Sequence, residues 1–228
     1  MSGPQIPSIA VLPSEMFLEI GKFLSAKDLS RLMRVQSPLS ALFRSDLRRK
    51  AISEHYSIVT AIEMGRVELI DILLESNVPT KAEISDALLV AIDVNNIGLA
   101  ERLLNRGANV YHVDGDGSTS MIRLIDSDHC NPEMARLLVA HGYDLDYSGK
   151  VGGAVMPVMH ATIANFQRPE TLDLLRLWVE LGADPNQLDS KRRNALDYFY
   201  VMVTSETPQE LEKAVEDLLL SLGTHPAE

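Results

Sequence analysis

Apolar residues in this chain recur at helical spacing in short blocks, and polar turns separate the blocks. One block, residues 67–74, places its leucines and isoleucines on one face of a helix. A shorter apolar block precedes each amphipathic one, so the pattern predicts pairs of short helices. The shorter blocks lie at 58–62, 88–92, 121–125, 158–163 and 196–199. Pairs this short cannot bury their apolar faces alone, so neighbouring pairs must stack.

A turn phrase of the form Leu-x-x-Gly-Ala-Asn/Asp ends the second helix of each pair. The turn residues stand at positions 77, 107, 142, 182 and 223, which are 30 to 41 residues apart. Glycine or asparagine at such a place suits a left-handed C-terminal cap. In one copy Trp178 occupies the leucine position, and we expect it to pack rather than to bind a partner. This period is typical of stacked units that serve as binding surfaces.

Polar turns between successive pairs carry a second motif, Asp114-x-x-Gly117-x-Thr119. With the turn phrase it resembles the ankyrin repeat, whose pattern is D-x-x-G-x-T-P-L-H-x-A, a second helix and L-L-x-x-G-A-D/N. Pro157 and Ala161 match the same pattern. The resemblance implies an all-α solenoid of about five units over residues 53–223, followed by a tail at 224–228. The units are placed at 56–80, 81–113, 114–149, 150–189 and 190–223.

Residues 9–52 do not follow the repeat, and their apolar spacing predicts three short helices. Pro13 suits the first turn of the first helix, and Ser25 can cap the second. Pro38 is predicted to break the helix at that point. The apolar residues are assigned to one face of the first helix (Met16, Phe17, Ile20, Phe23, Leu24), to the second (Leu29, Leu32, Val35) and to the third (Phe43, Leu47). Because three such helices make a small core, part of this apolar surface should meet something else.

This N-terminal segment resembles an F-box, whose pattern is L-P-x-E-hydrophobic, then I-x-x-h-L, then D-L-x-x-L-x-x-V. The residues in register are Leu12, Pro13, Glu15, Ile20, Leu24, Asp28, Leu29, Leu32 and Val35. The resemblance implies a non-catalytic substrate receptor of an SCF-type cullin–RING ubiquitin ligase. The segment would bind a Skp-family adaptor, and through it a cullin, while the repeats hold a target near the ubiquitin-carrying enzyme. The implied adaptor-binding residues are Leu12, Pro13, Met16, Ile20, Leu24, Leu29, Leu32 and Val35.

Ankyrin-type stacks bind proteins through hairpin tips and inner helices, which assigns target-binding residues by register. The tip residues are Tyr111, His112, Asp116, Tyr147, Asp189 and Arg192. The inner-helix residues are Asp93, Arg123 and Asp126. Tyrosine and arginine are frequent binding anchors, and carboxylates around them favour a basic or neutral target.

The charge distribution narrows the class of partner. Residues 1–55 carry a net charge of +3 and the remainder carries −14, which gives −11 for the chain. An acidic body repels phosphate backbones, so we expect no nucleic-acid partner. No apolar run approaches the roughly 18 residues of a membrane span, and the first residues lack the features of a signal peptide. We therefore expect a monomer in the cytoplasm, the nucleus or both, with a disordered N-terminus at 1–8.

No constellation of residues predicts catalysis or metal binding. Asp114 and Asp116 imitate the start of a calcium loop, but Ile125 stands where the bidentate glutamate belongs. Cys130 has no base placed to activate it, and it is the chain's one cysteine, which fits a reducing compartment. Residues 149–153 lack the pattern of a phosphate-binding loop. The expectation is a protein without catalytic residues, metal or cofactor.

Two other readings of the same residues stay open. In the first, the chain is a non-ligase ankyrin scaffold or inhibitor whose N-terminal helices only cap the stack. The side chains of Leu12, Ile20, Leu24 and Leu29 would then be buried within the chain. In the second, the chain is a secreted effector that recruits a host ligase. The sequence does not separate an effector from an endogenous receptor, because the physics of both interfaces would be the same.

Overall fold

The computed structural model divides the chain into two compact units, Met1–Val90 and Ala91–Glu228, and their boundary falls within a helix. The residues that the structure describes are 12–35, 37–76, 79–115, 117–127, 130–147, 150–151, 153–154, 156–168 and 170–225. The predictions for the 1–8 segment, the turn at Asn77, the tip residue Asp116 and the last tail residues lie outside this set.

Thirteen helices lie in the described residues. The first unit holds α1 Ser14–Phe23, α2 Ala26–Val35, α3 Ser37–Ser53, α4 Ile58–Glu63 and α5 Val67–Glu75. Helix α6, Lys81–Asp93, crosses the unit boundary. The second unit holds α7 Ile97–Asn105, α8 Ser120–Asp126, α9 Pro132–Ala140, α10 Val158–Ala164, α11 Thr171–Glu180, α12 Ala195–Met202 and α13 Gln209–Ser221. A minimal antiparallel ladder, β1 Lys150–Val151 with β2 Gly153–Ala154, precedes α10.

The predicted helix pairs are present, as α4–α5, α6–α7, α8–α9, α10–α11 and α12–α13. Gly107 and Gly142 follow the second helices of their pairs with φ of 87° and 92°, so they adopt the left-handed conformation expected of a C-terminal cap. Polar side chains cap several of the helices. Asn96, Thr119, Asn131 and Asn194 each accept a backbone N–H bond at the start of the helix that follows. The predicted architecture of paired short helices is confirmed.

Within the second unit the first helices of the pairs pack side by side, because α10 contacts both α8 and α12. Trp178 on α11 is the largest fully buried side chain. Its indole Nε1–H donates to Thr162 Oγ1 on α10 at 2.7 Å. Trp178 therefore packs inside the unit, as its leucine-like position predicts.

The three N-terminal helices, called the head below, form one compact body with the first repeat. Helix α1 packs on α3, and both α2 and α3 contact α5. Phe43 and Leu47 on α3 are fully buried in the head core. Ser25 caps α2, because its hydroxyl accepts from the Asp28 N–H at 3.1 Å.

One expectation about the head is confirmed and one is corrected. Helix α2 ends at Val35 and α3 begins at Ser37, so the helical segments are separate at Pro38 as predicted, and α3 then runs for seventeen residues. The five apolar residues of α1 do not share one face. Phe17 is buried in the head, whereas Met16, Ile20 and Phe23 are exposed.

Helix α3 also holds the corner between α1 and α2. The Lys50 ammonium donates to the carbonyl oxygens of Gly21 at 2.9 Å and Lys22 at 3.1 Å, and to that of Leu24. The Glu54 carboxylate accepts from the Ala26 N–H at 3.1 and 3.2 Å. A cation thus meets the C-terminus of α1 and an anion meets the N-terminus of α2, where the helix dipoles favour them.

Among the helices that the structure describes, none combines the length and apolarity that a bilayer crossing requires.

Candidate protein-binding surfaces

The outer row of α1, defined as Pro13, Met16, Ile20 and Phe23, is an apolar strip on the surface of the head. Met16 is 50% exposed, Ile20 38% and Phe23 88%, and Pro13 is exposed as well. A strip of large apolar side chains in water is typical of a surface that binds another protein. Phe23 is the most exposed apolar residue of α1, although the F-box resemblance does not assign it to adaptor binding.

The inner side of α1 explains why the row faces outward. Gly21 is buried against the Phe43 ring, and a Cβ placed on it would lie 2.5 Å from Phe43 Cε1. Glycine at this point lets α1 approach α3 closely and fixes which side of the helix turns inward. The outer row follows from this close approach.

The other residues assigned to the adaptor are divided between surface and core. Leu12, Leu24 and Leu32 are partly exposed. Leu29 is 0% exposed in the head core, so in the folded chain it cannot touch a partner, and it belongs to the core instead of the docking set. The side chain of Val35 lies outside the described residues.

A ladder of hydrogen bonds joins successive turns of the second unit. The residue four positions after the turn glycine is Tyr111 in the first of these turns, Asp146 in the second and Asn186 in the third. Tyr111 Oη accepts from the Asp144 N–H at 2.7 Å and donates to the Gly142 carbonyl at 3.3 Å. The other two positions, Asp146 and Asn186, repeat the pattern with different side chains. Three different residue types therefore make the same turn-to-turn hydrogen bond at the same position of the repeat.

The Asp146 carboxylate accepts from the Asp184 N–H at 2.9 and 3.1 Å. Asn186 does the same for the last turn, where its Oδ1 accepts from the His225 N–H at 3.0 Å and its Nδ2 donates to the Gly223 carbonyl at 2.8 Å. The recurring Asn or Asp of the turn phrase makes a separate hydrogen bond within its own turn. Asn109, Asp144 and Asp184 each accept, at 2.9–3.0 Å, from the N–H two residues on.

Asp146 lies in an unfavourable electrostatic environment. Its pKa is raised above 3.8, chiefly because it is partly buried and also because Asp144 and Asp184 are close, while the bond from the Asp184 N–H opposes the shift. A carboxyl group with a raised folded-state pKa stabilises the fold when protonated, and this stabilisation is lost as the pH rises through the folded-state pKa. At neutral pH the charge on Asp146 is therefore a cost.

Asp146→Asn is expected to raise the free energy of unfolding of the second unit by about 0.5–1.5 kcal/mol at pH 7. An amide keeps the acceptor for the Asp184 N–H, removes the negative charge and adds a donor for the Gly182 carbonyl, as Asn186 does in the next turn. Urea denaturation followed by circular dichroism measures the change. Asp146→Ala, which removes the acceptor, should lower stability, and the asparagine gain should shrink as the pH falls toward 3.8. Equal losses in both variants would contradict this account.

Several residues assigned to target binding are engaged within the chain. The Tyr111 ring stacks on Tyr143 at 5.0 Å and contacts Tyr147 at 4.7 Å, so both assigned tyrosines take part in turn-to-turn packing. Arg123 is partly buried and pairs with Asp93, at 2.7 Å, and with Asp114. Register alone places these side chains on the binding face, but the structure shows that they contact other residues of the same chain.

The remaining assigned residues differ in how much they present to solvent. Asp189 is little exposed and is held by Arg193. Burial alone would raise the pKa of its carboxyl, but the hydrogen bonds from Arg193 and Lys191 outweigh burial, so the pKa is lowered. Asp93 and Asp126 are exposed at the ends of α6 and α8, and Asp126 accepts from Asn165 Nδ2 at 3.1 Å. Arg192 is exposed and His112 is partly exposed. Asp116 lies outside the described residues.

His160 on α10 joins its repeat to the following one. Its Nε2–H donates to the Arg193 carbonyl at 2.9 Å, which leaves Nδ1 buried without a partner among the described residues. Burial lowers the pKa of His160, and the bond to Arg193 opposes that effect. A second proton on Nδ1 would place an unpaired charge inside the fold.

The second unit is expected to lose stability below pH 6.5 through His160. A base whose folded-state pKa is lowered stays neutral in the fold, so its contribution is present above 6.5 and is lost as the pH falls through the folded-state pKa. The slope from this residue reaches at most about 1.4 kcal/mol per pH unit. His160→Gln should flatten the dependence of the free energy of unfolding on pH between 6.5 and 5, relative to wild type. The exposed His141→Gln is the control, and identical pH profiles for wild type and His160→Gln would refute the assignment.

The described residues offer no metal centre. They contain no cluster of three or more His, Cys, Asp or Glu side chains arranged to hold a metal ion. Cys130 is a free thiol, and burial raises its pKa to about 12. A thiol with that pKa stays protonated at neutral pH and is a poor nucleophile.

Similar proteins share the repeat architecture. Ankyrin repeat protein nuc-2 of Neurospora crassa is 28% identical over 169 residues, which cover 71% of this chain and 15% of that protein's length. An ankyrin repeat domain from Acinetobacter baumannii aligns with a TM-score of 0.54 and 21% identity, over 73% of this chain and 80% of the other. The ankyrin repeat domain of Bcl-3, a member of the IkappaB protein family, aligns at 0.52 and 22%, over 72% and 66%. No family model matches the chain.

These likenesses establish the ankyrin-repeat fold. Solenoids of this kind present extended surfaces for binding other proteins and are not, as a rule, catalytic.

Proposed function

We propose that this chain is the substrate-recognition subunit of an SCF-type cullin–RING ubiquitin ligase. Its head binds a Skp-family adaptor, and its ankyrin repeats bind a target protein. The subunit catalyses nothing; it raises the effective concentration of the target near the ubiquitin-carrying enzyme. The observation that carries the proposal is the outer row of α1, an exposed apolar strip within a segment that follows the F-box pattern.

The packing of the head supports an outward-facing role for α1. Helices α2 and α3 contact α5, so they are committed to the first repeat. Helix α1 packs on α3, and the Lys50 ammonium and the close approach at Gly21 hold it in place. A rigidly held helix with unburied apolar side chains binds a partner with little loss of conformational entropy.

The target side of the proposal rests on charge. Residues beyond 55 carry a net charge of −14, and the exposed carboxylates Asp93 and Asp126 end two of the inner helices. Such a surface favours a basic or neutral protein target and accelerates its encounter.

A second function is favoured by the same contacts. In a non-ligase ankyrin scaffold or inhibitor, the head would only cap the first repeat. The contacts of α2 and α3 with α5, the ion pair of Arg44 with Glu75 at 2.6 Å, and the burial of Leu29 fit a cap. The outer row of α1 distinguishes the two functions, because a segment that only caps the repeat gains no stability from exposed apolar side chains.

The deciding experiment measures the affinity of the purified chain for a purified Skp-family adaptor by titration calorimetry. The test variant carries Ile20→Asp and Phe23→Ser, which remove the apolar character of the outer row. The control variant is Val67→Asp, because Val67 is an exposed apolar side chain on α5 of the same unit. Circular dichroism confirms that both variants keep their helices.

The expected result is a loss of adaptor affinity of about 100-fold or more in the outer-row variant, since a central apolar contact is worth about 2–4 kcal/mol. Val67→Asp should bind like wild type. If the wild-type chain does not bind the adaptor, or if both variants lose affinity equally, the receptor function is rejected and the capping scaffold is the better account.

A further inference from the structure

Two hairpin tips of the second unit share one backbone design. In the first, Asp114 N–H donates to the Ser118 carbonyl at 3.2 Å, and Gly117 N–H donates to the Asp114 carbonyl at 3.2 Å. In the second, the Asp189 N–H donates to the Arg193 carbonyl at 2.8 Å. The Arg192 N–H donates to the Asp189 carbonyl at 3.0 Å. The two tips are therefore equivalent, and Arg192 takes the position of Gly117.

This position requires a left-handed backbone. Gly117 has φ of 86°, which glycine adopts freely, and Arg192 has φ of 62°. A long side chain at that φ is strained, because its Cβ crowds the backbone. Strain of this kind persists where the surrounding structure holds the backbone in place, and it is concentrated at functional sites. Glycine at position 192 would remove this backbone strain, as glycine does at the equivalent position of the first tip.

The second tip is also rigidly supported. Arg193 binds the Asp189 carboxylate through Nη2 at 2.6 Å and Nε at 2.9 Å, and its guanidinium lies 4.7 Å from the centre of the Tyr198 ring. The His160 Nε2–H donates to the Arg193 carbonyl at 2.9 Å. The side chains of Asp189 and Arg193 thus bind each other within the chain. The hairpin is held in place by these contacts and by the hydrogen bond from His160.

Large and charged side chains of this tip face solvent. Leu188 is an exposed apolar side chain, and Lys191 and Arg192 are exposed cations. Neither cation is ion-paired within the part of the chain that the structure describes. An arginine held on a rigid support can bind a carboxylate through two parallel N–H bonds.

We propose that the tip formed by Leu188, Lys191 and Arg192 binds an acidic side chain, next to an apolar one, on a partner protein. The proposal deepens the target-binding part of the proposed function, on which it rests. A nucleic acid is disfavoured, because its long anionic backbone would meet the −14 charge of the residues beyond 55. A single carboxylate beside an apolar residue meets only the basic tip. The target is then mainly basic or neutral, with one acidic anchor.

The test uses the full chain without any adaptor, so its outcome does not depend on adaptor binding. The probe is a fluorescein-labelled peptide with a Leu-Glu-Glu core in a Gly-Ser context, and fluorescence anisotropy at low salt measures its affinity. Matched peptides with Leu-Gln-Gln and an oligothymidylate of equal length are compared. The variants are Arg192→Gly, Arg192→Lys, and Lys213→Gln as a control that removes an exposed cation elsewhere in the unit.

The expected result is binding of the Leu-Glu-Glu peptide that weakens about tenfold in Arg192→Gly, which corresponds to about 1.4 kcal/mol. Arg192→Lys should bind with intermediate affinity, and Lys213→Gln like wild type. The Tm of Arg192→Gly should equal or exceed that of wild type, because glycine relieves the strain. Four outcomes would overturn the proposal: no binding by wild type, equal affinity for the glutamine peptide, tighter binding of oligothymidylate, or a lower Tm in Arg192→Gly.

Discussion

Replacing Trp178 with alanine is expected to lower the free energy of unfolding of the second unit by about 3–5 kcal/mol. Trp178 is 0% exposed, so its removal leaves a cavity that the surrounding helices can fill only in part. The change also removes the donor to Thr162 Oγ1, an oxygen that is buried between α10 and α11. The loss of apolar burial and the loss of the hydrogen bond act in the same direction.

Urea denaturation measures this loss for each variant. The unfolding is followed by circular dichroism, which reports the helix content of the backbone. Trp178→Phe should be less destabilising, since it keeps most of the apolar volume. Val201→Ala, at an exposed position on α12, is the control and should change stability little. In wild type, the single tryptophan also allows fluorescence to follow the same transition. A Trp178→Ala variant as stable as Val201→Ala would mean that the indole is not in the core.

Leu29→Ala is expected to destabilise the first unit by about 2–5 kcal/mol. The F-box pattern assigns this leucine to adaptor binding, but the structure places it in the head core with 0% exposure. Its loss should therefore appear in the unfolding transition and should reduce adaptor affinity only as far as the head unfolds. Ile20→Ala, on the outer row, should show the opposite behaviour, with stability nearly unchanged and affinity reduced.

The two variants are compared by thermal unfolding and by adaptor titration below the lower Tm. If Leu29→Ala keeps wild-type stability but loses adaptor affinity, then Leu29 is a docking residue and the packing of the head described above is wrong. If Ile20→Ala unfolds as readily as Leu29→Ala, the outer row is part of the core. The pair thus separates a structural from a binding role for each residue.

The helix pairs and their glycine caps are predictable because their signals are local. An amphipathic helix carries its apolar residues three and four positions apart, and a left-handed turn selects glycine at one position. Both requirements act within a few residues, as the blocks before Gly107 and Gly142 illustrate. The repeat period then predicts stacking, because no single pair can bury its own apolar face.

The division of apolar residues in the head could not be predicted in the same way. Helix α1 has apolar side chains on more than one side, so spacing alone does not say which side turns inward. The absent side chain at Gly21 lets the Phe43 ring approach, and this contact turns Phe17 inward and Phe23 outward. A buried glycine within an apolar helix was the one available signal.

The turn ladder escaped prediction for a related reason. Tyr111, Asp146 and Asn186 are three different residue types, so no single motif connects them. Their constant distance of four residues from a turn glycine was visible, but its meaning depends on the next turn, more than thirty residues away. Register assigns the tyrosine to target binding because it predicts exposure and does not reveal a neighbour in the next turn of the stack.

By itself, the sequence determined that the chain folds as paired helices in a repeating stack, that a different helical segment precedes the stack, and that the stack is acidic. These properties depend on residue spacing and composition, which folding leaves unchanged. Only the tertiary structure decided that Leu29 is core and Ile20 is surface, that Asp189 is used internally and Arg192 is displayed. Burial and pairing depend on which distant segments meet, and that information lies in three-dimensional packing rather than in local spacing.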